Sequence, residues 1–339
     1  MTLDEVRAAL AEAGEKPYRA DQLADWVYSK AVTDPARMSN VPDGAAGMFA
    51  FLTSTVANRA ESTDGTVKLL LDLHDGEQAE TVLIPSPRRA TACLSAQVGC
   101  AMGCAFCASG LDGLRRNLSA GEIVEQILHL RQATDRKVTN VVFMGMGEPL
   151  ANYEATVAAV RAVVDPKRFG ISARRVTIST IGLPKQIRRL AREDLAVTLA
   201  ISLHAPTDAL RKQIVPHAAR HSIGQILAAA AEFFQARKRE VTLEYILLGG
   251  VNDHLTQADA LARLAKRLRC NVNLISYNPV ESLPFAPSAK SDADAFVKRL
   301  REKHVSATLR RSRGADIAAA CGQLRRRADG NGASPAKRE

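Results

Sequence analysis

Short apolar runs alternate with amphipathic stretches along most of the chain after residue 90. The runs have the length of β-strands, and the stretches between them repeat their apolar residues at helical spacing. The strand-like runs are residues 91–96, 140–144, 175–179, 196–203, 241–247 and 271–277, and the helical stretches are 120–132, 153–163, 184–192, 223–237 and 257–269. This alternation predicts an α/β fold in which helices cover a parallel sheet, either a partial (βα)6 barrel or a doubly wound sheet. Residues 306–310 are a candidate for one further strand.

The chain before this region has a different pattern. Residues 1–60 carry apolar positions at helical spacing and predict a small helical accessory domain. Two apolar runs, 66–73 and 80–84, flank a turn that contains Asp75-Gly76, and they predict a β-hairpin in a linking segment over 61–90. We assign residues 91–324 to the βα region. Residues 325–339 are rich in Arg, Gly, Asp and Pro, and we expect a disordered basic tail there.

Composition narrows the class of protein. Of 339 residues, 46% are hydrophobic and 24% are charged, which excludes disorder of the whole chain. No apolar run approaches the roughly 18–20 residues of a membrane span, and residues 1–14 lack the apolar core of a signal peptide. We therefore expect a cytoplasmic protein without membrane contact. The formal net charge of +10 suits a polyanionic partner but does not establish one.

Three of the six cysteines crowd into eight residues directly after the first predicted strand of the βα region. Cys100, Cys104 and Cys107 form a C-x3-C-x2-C pattern on a loop at the end of the sheet where ligands bind in such folds. Three thiolates on one loop can bind three irons of a [4Fe–4S] cluster and leave the fourth iron open. A structural zinc site is the alternative, although no second pair of ligands is nearby. Three inert buried cysteines are the other alternative.

This cysteine pattern after the first strand of a βα sheet resembles the radical S-adenosylmethionine (SAM) superfamily. In that superfamily the open iron binds SAM, and the reduced cluster cleaves SAM to a 5′-deoxyadenosyl radical. Four blocks, in order along the chain, resemble more narrowly the RlmN/Cfr family of RNA adenine methyltransferases. They are SAQVGC at 95–100, MGMGEP at 144–149, ISLHAP at 201–206 and GADIAAACGQL at 314–324. The resemblance therefore implies one [4Fe–4S] cluster, SAM and a partial barrel.

Several polar residues follow the predicted strands and are candidate SAM contacts. A glycine-containing segment lets backbone approach a ligand closely, and Glu148 within it can accept hydrogen bonds from the SAM ammonium. The alternative is a glycine-rich turn with a solvated Glu. Taken alone, each of the other residues is equally well explained as a strand-end cap or a satisfied polar group. Their shared position at strand ends favours a ligand site. The resemblance implies that the SAM contacts are Gly147, Glu148, Ser179, Ser202, Leu203, His204 and Asn278.

The resemblance also implies roles for two distant cysteines and one carboxylate. Adenine carbons C2 and C8 are electrophilic and cannot attack the SAM methyl group directly. In the family, the Cys321 thiolate takes a methyl group from one SAM, and a second SAM supplies the radical that activates it for addition to adenine. Glu80 is the implied acceptor of the ring proton. Cys93 then attacks the Cys321 sulfur, which releases the methylated RNA and leaves a transient disulfide.

Without the family resemblance, Cys93 and Glu80 have simpler structural explanations. A cysteine on a strand, such as Cys93, is usually a small core residue, and Glu80 could be an exposed strand carboxylate. Cys270 is expected to be structural. Basic residues bracket the proposed chemistry and could bind RNA phosphates, or they could be ordinary solvated arginines. They are Arg115, Arg116, Arg310, Arg311, Arg313 and residues 325–327.

The family resemblance implies a substrate and further partners. The expected substrates are one adenosine in the peptidyl-transferase region of 23S rRNA and the adenosine 3′ of the anticodon in some tRNAs, both methylated at C2. An external electron donor of the flavodoxin type and a thiol reductant are also implied, and we expect a monomer. One alternative is methylation at adenine C8, as in the Cfr type, which confers antibiotic resistance. An alternative of another class is a non-catalytic iron–sulfur protein that binds RNA or carries electrons.

Overall fold

The structure is a computed structural model that describes residues 3–134, 136–310 and 312–324. Within these residues, ten strands form one sheet and two more form a small separate sheet. Arg311 and the predicted tail over 325–339 lie outside the described residues. The strands are β1 (Thr55–Glu61), β2 (Val67–Asp72), β3 (Gln78–Ser86), β4 (Arg89–Cys93), β5 (Gln97–Gly99), β6 (Leu114–Asn117), β7 (Asn140–Phe143), β8 (Val176–Thr180), β9 (Thr198–Ser202), β10 (Val241–Leu247), β11 (Cys270–Ser276) and β12 (Ala307–Arg310).

The strand order decides between the two predicted architectures. In the main sheet the order is β1-β2-β3-β4-β7-β8-β9-β10-β11-β12, and every pair from β4 to β12 is parallel. A doubly wound sheet would reverse its strand order at a switch point. Because these strands follow one another without reversal, the sheet is a singly wound partial barrel. The predicted α/β fold is confirmed, and residues 306–310 supply the expected further strand as β12.

Helices connect the parallel strands and cover the outside of the sheet. The N-terminal helices are α1 (Leu3–Glu12), α2 (Arg19–Ala24) and α3 (Asp43–Gly47), and those of the barrel are α4 (Ala120–Thr134), α5 (Tyr153–Val164), α6 (Pro184–Arg192), α7 (Asp208–Ile214), α8 (Ile223–Arg237), α9 (Leu255–Ala265) and α10 (Lys290–Glu302). A capping box of Ser222 and Gln225 begins α8. The main hydrophobic core contains residues of α1 and α2 as well as of the barrel helices.

Five of these elements were missed in the sequence, and the strands β5 and β6 of the small sheet are two of them. Residues 55–60, expected to be helical, belong to strand β1, which pairs with β2 and extends the predicted hairpin β2–β3 into an antiparallel edge. Most of β1 is solvent-exposed, so it lacks the apolar alternation that marks a half-buried strand. Helices α7 and α10 were also missed, although α10 buries residues 293, 296, 297 and 300 at helical spacing.

The expected division into domains at residues 60, 90 and 324 stays a prediction. None of the helices described is both long and apolar enough to cross a membrane.

Candidate active site

A cavity lies over the cysteine loop, at the carboxyl ends of β7 to β10. We call it the cluster cavity, and its wall includes Cys100, Cys104, Cys107, Glu148, Ser202 and Cys321. The small sheet β5–β6 encloses the cysteine loop, because Cys100 follows β5 and its backbone N–H bonds to the Gly113 oxygen before β6. A Cβ on Gly99 would lie 2.0 Å from that same oxygen, so the loop can begin only with glycine.

The three clustered thiols are in a setting that suits metal ligation. Burial raises the pKa of Cys100 to about 12 and also raises the pKa values of Cys104 and Cys107. Thiolates in such a place need a bound cation for charge balance. Within residues 3–134, 136–310 and 312–324, no group of three or more His, Cys, Asp or Glu side chains is arranged to hold a single metal ion. Three thiolates on one loop can each bind a different iron of a [4Fe–4S] cluster, whereas a closed zinc site needs four ligands.

Two glycines after β7 are required by close packing within the protein. A Cβ on Gly145 would lie 2.8 Å from the Leu94 carbonyl oxygen, and a Cβ on Gly147 would lie 2.5 Å from Gln97 Cβ. Gly147 also has a φ of +94°, which L side chains rarely adopt. The atoms that exclude a Cβ belong to the segment after β4, and both glycines also line the cluster cavity. A role for Gly147 in SAM binding stays a prediction.

Glu148 is a buried carboxylate held in place by backbone amides. Its Oε1 accepts a hydrogen bond from Leu150 N–H at 3.0 Å, and its Oε2 accepts one from Ile181 N–H at 2.9 Å. Burial raises the pKa of Glu148 to about 7. The Thr180 side chain also bonds to this carboxylate, so three of its roughly four acceptor sites are used and one is left for a ligand. The carboxylate is therefore oriented to bind a cationic or hydrogen-donating ligand in the cluster cavity.

Three more of the expected SAM contacts line the same cavity. The Ser179 and Ser202 hydroxyls lie 3.2 Å apart on neighbouring strand ends. His204 has a φ of +59°, and its Nδ1 accepts a hydrogen bond from Ile246 N–H at 3.1 Å. Burial lowers the pKa of His204 to about 3, so the ring is neutral near pH 7. With Nδ1 as the acceptor, Nε2–H is the donor that remains for a ligand.

The other two expected SAM contacts lie elsewhere. Leu203 is fully buried in the main hydrophobic core, and its backbone N–H bonds to the Glu244 oxygen. Asn278 donates from Nδ2 to the Cys321 carbonyl oxygen at 3.3 Å, so it holds the loop that carries this cysteine. Roles for Leu203 and Asn278 in SAM binding stay predictions.

A second, smaller cavity adjoins the first and brings the two distant cysteines together. We call it the thiol cavity, and Cys93, Cys321, Met144, Asn278 and Arg310 lie on its wall. Cys321 and Met144 line both cavities. Burial raises the pKa of Cys93 to about 12, and the nearby Cys321 adds to this rise. Cys93 is thus a neutral thiol, and it is not bonded to Cys321 in this structure.

Glu80 is buried, as a proton acceptor next to a substrate would be. The sequence did not predict its contact with a buried lysine. Its side chain is 4% exposed, and its Oε1 lies 2.9 Å from Lys68 Nζ. Glu80 is on β3, two residues before Val82, which pairs with Cys93 across the sheet. Side chains two residues apart share a face, so Glu80 and Cys93 are on the same side of the sheet. The role of Glu80 as an acceptor stays a prediction.

The arginines expected to bind RNA fall into different settings. Arg116 bonds to Asp75 and to the buried Glu122, which raise its pKa, so its charge is already balanced. Arg115 is exposed, and Arg313 lies 3.8 Å from an Asp64 oxygen. Arg310 is largely buried in the thiol cavity, where Cys321 raises its pKa and Glu244 and Cys93 add to the rise. Arg311 and residues 325–327 are outside the described chain.

Two buried side chains that support the strand-end loops were missed in the sequence. Arg211, on α7, is 2% exposed and donates to the Leu203 and Ser202 carbonyl oxygens at 3.0 and 3.2 Å. Asn252 donates from Nδ2 to the His204 carbonyl oxygen at 2.8 Å. Asn252 follows Gly249-Gly250 at the end of β10. This glycine turn is the sequence feature from which Asn252 could have been predicted.

Glu244 is a third missed residue, and it lies in the cluster cavity itself. Its side chain accepts a hydrogen bond from Asn273 Nδ2 at 2.8 Å, and burial raises its pKa to about 7. A single carboxylate within the apolar run 241–247 was the sequence signal for it, because a charged residue is rarely buried without a reason.

Comparisons with known proteins agree with this geometry. A family model of the radical SAM superfamily matches residues 94–262, and one described as the ribosomal RNA large subunit methyltransferase N-terminal domain matches residues 1–44. The chain is 44% identical to a dual-specificity RNA methyltransferase RlmN of Solidesulfovibrio magneticus, over 99% of this chain and 98% of that protein. A probable enzyme of the same name from Geobacillus kaustophilus is 42% identical, over 96% of this chain and 91% of that protein.

The chain belongs to the RlmN family. The resemblance drawn from the four sequence blocks is therefore confirmed. The fold is also similar to the crystal structure of a radical SAM methyltransferase from Sphaerobacter thermophilus, with a TM-score of 0.92 and 44% identity. That match covers 96% of this chain and 98% of the other, so the structural similarity extends over the N-terminal helices as well as the barrel. Membership of the radical SAM superfamily implies a [4Fe–4S] cluster and SAM.

Proposed function

We propose that this protein is a radical SAM methyltransferase that methylates C2 of an adenosine in 23S rRNA and in some tRNAs. The observation that carries the proposal is the position of Cys321 on the walls of both the cluster cavity and the thiol cavity. A thiol in that place can receive a methyl group on one side and present it to a base on the other. The names of the relatives, which describe dual-specificity RNA methyltransferases, support RNA as the substrate.

Cys100, Cys104 and Cys107 would hold the cluster, and Glu148, with the strand-end serines, would orient SAM. When bound, the cluster and SAM supply a one-electron cleavage that yields a hydrogen-abstracting 5′-deoxyadenosyl radical. The apolar wall that includes Met102, Phe106 and Ile246 keeps water away from this reaction.

Cys321 and Cys93 have different roles in the covalent chemistry: Cys321 carries the methyl carbon, and Cys93 releases the product. The Cys321 sulfur accepts a methyl group from SAM, leaving S-adenosylhomocysteine. This methyl carbon would lose one hydrogen atom to the 5′-deoxyadenosyl radical and add to C2 of the adenine, and one electron would return from the adduct to the cluster that the cleavage of SAM had oxidised. Cys93 then forms a bond to the Cys321 sulfur while the bond from that sulfur to the carbon breaks, and the released carbon takes up a proton. The disulfide that remains requires two electrons from an external thiol reductant before the next turnover.

Glu80 is the proposed acceptor of the proton that leaves C2. Its burial on the same sheet face as Cys93 supports this role. We also propose consumption of two SAM molecules per turnover, a flavodoxin-type electron donor, a cytoplasmic location and a monomeric state. Arg310 and Arg313 on the wall of the thiol cavity are suited to place an RNA phosphate near its entrance.

The decisive experiment is anaerobic incubation of the cluster-loaded protein with SAM, dithionite and a 23S rRNA fragment or tRNA. Mass spectrometry of the nuclease-digested RNA is expected to show 2-methyladenosine. Finding 8-methyladenosine instead would assign the Cfr-type reaction. Absence of both methylated nucleosides and of 5′-deoxyadenosine would leave a non-catalytic iron–sulfur protein.

A further inference from the structure

Lys68 is a buried cation that the chemistry above does not use. It lies on β2 with 8% of its surface exposed, and lysine is rarely buried to this extent unless its charge is paired. Its Nζ lies 2.9 Å from Glu80 Oε1 and donates a hydrogen bond to the Ala318 carbonyl oxygen at 3.1 Å. One ammonium group thus contacts both the proposed proton acceptor and the loop that carries Cys321.

The strand register places Lys68 in line with Cys93. Lys68 pairs with Val82 of β3, and Val82 pairs with Cys93 of β4. Residues directly opposite in neighbouring antiparallel strands project from the same face, so all three lie in one row with Lys68 about 10 Å from Cys93 along the sheet. Ala319 belongs to the same buried hydrophobic cluster as Val82 and Cys93, so the loop packs over this row.

A second set of contacts fixes the beginning of the loop independently of Lys68. Asp316 Oδ1 accepts a hydrogen bond from Ser62 Oγ at 2.6 Å, and Asp316 Oδ2 accepts one from Thr63 N–H at 3.2 Å. In return, Asp64 Oδ2 accepts one from Gly314 N–H at 3.2 Å. The turn between β1 and β2 therefore anchors the loop at Gly314 and Asp316, and Lys68 holds it separately at Ala318.

We propose that Lys68 is a positioning residue that holds Glu80 and the Cys321 loop in one arrangement, so that proton acceptor and methyl carrier meet the same nucleobase. The proposal rests on the function proposed above. An ammonium has three donors at fixed angles, so it can bind a carboxylate and a carbonyl together. Loss of Lys68 then affects two steps: delivery of the methyl carbon by Cys321, and proton removal by Glu80 from the RNA that is covalently attached to Cys321.

The test compares Lys68→Met with Asp316→Ala, because the second change loosens the same loop without touching Glu80. Arg59→Met is the control, since Arg59 forms an exposed pair with Glu61 on neighbouring β1. Cluster-loaded proteins are mixed with SAM, dithionite and RNA under single-turnover conditions and quenched over time. Denaturing gels measure the covalent protein–RNA adduct, and chromatography measures 5′-deoxyadenosine released per methylated RNA.

Both Lys68→Met and Asp316→Ala are expected to release more 5′-deoxyadenosine per methylated RNA than the wild type. Only Lys68→Met is expected to slow the decay of the adduct, by about tenfold or more, as loss of an aligned proton acceptor should. Arg59→Met is expected to match the wild type in both readouts. Adduct decay in Lys68→Met at the rate of Asp316→Ala would overturn the proposal, because Lys68 would then act only through the loop.

Lys68→Arg provides a second measurement if Lys68→Met does not fold. Its planar guanidinium keeps the charge but is larger than an ammonium group, so Glu80 and the loop must shift to keep both contacts. Adduct decay slower than in Asp316→Ala is expected, and equal rates would overturn the proposal. Iron content and thermal unfolding of each variant show whether the fold and the cluster are retained. A wild-type protein that forms neither adduct nor methylated RNA would instead refute the proposed function.

Discussion

Cys321 and Cys93 share the wall of the thiol cavity, and Cys321 also lines the cluster cavity. Cys321 sits between left-handed Ala318 and Gly322, with φ of 51° and 85°, so the loop turns sharply on each side of the thiol. Asn278 holds the Cys321 carbonyl from the barrel side. Cys321 thus borders both cavities, whereas Cys93 lines the thiol cavity.

Replacing Cys321 is expected to abolish RNA methylation while the cluster remains. In Cys321→Ala no sulfur can accept the methyl group, so SAM cleavage is at most uncoupled from RNA. Methylated nucleosides measured by mass spectrometry should be absent, whereas iron and sulfide counts should equal those of the wild type. Cys270→Ala is the matched control, because Cys270 lies at the start of β11 and its thiol bonds to the Ala265 carbonyl oxygen. Wild-type methylation by Cys321→Ala would contradict the role of this residue.

Replacing Cys93 is expected to trap a covalent complex of protein and RNA. In the proposed mechanism, the bond between the Cys321 sulfur and the methyl carbon breaks when a second thiol attacks that sulfur, and Cys93→Ala removes this thiol. The purified variant should carry RNA that resists denaturant and disappears on nuclease digestion. Cys93→Ala protein isolated from cells without bound RNA would contradict this order of steps.

Replacing Gly147 is expected to reduce stability without a change in any charged group. A Cβ at this position meets Gln97 at 2.5 Å and is attached to a residue with φ of +94°. Such strain and crowding together cost about 1–3 kcal/mol or more. Gly44→Ala is the control, because a Cβ on Gly44 meets nothing within 4 Å and φ is not positive there. Urea unfolding should show a large loss for Gly147→Ala alone, and equal stabilities would refute the packing argument.

Much of the fold follows from apolar periodicity because buried parallel strands are continuous apolar runs. The six predicted strands of the barrel correspond to β4, β7, β8, β9, β10 and β11. Strand β1 could not be predicted in this way, since its residues face solvent and carry no pattern. The choice between barrel and doubly wound sheet was also open, because strand order depends on which neighbours pair and not on the composition of each strand.

The site was predictable where residues are close in sequence and less so where the fold brings them together. The three cluster cysteines lie on one loop. Cys93 and Cys321 are far apart in sequence, and only the register of β4 and the path of the C-terminal loop bring them to the same cavity. Lys68 could not be recognised, because a lysine within a strand is normally expected to face solvent. Its partner Glu80 came from family resemblance and not from any local pattern.

The buried carboxylate of Glu244 is expected to make stability depend on pH. Burial raises the pKa of Glu244 to about 7 in the folded state, above a value of 4.5 in the unfolded chain. Between these pH values the folded state binds more protons, so stability falls as pH rises from about 4.5 to about 7 and stays reduced above it. The full effect is about 3 kcal/mol.

Glu244→Gln removes this titration and keeps an oxygen for Asn273. Urea unfolding of the cluster-free variant at pH 8 should therefore give a stability above that of the wild type, by up to about 3 kcal/mol. Near pH 4.5 the two proteins should differ little, because Glu244 is then protonated in the folded state. The same difference at both pH values would mean that packing, and not the charge of Glu244, sets the effect.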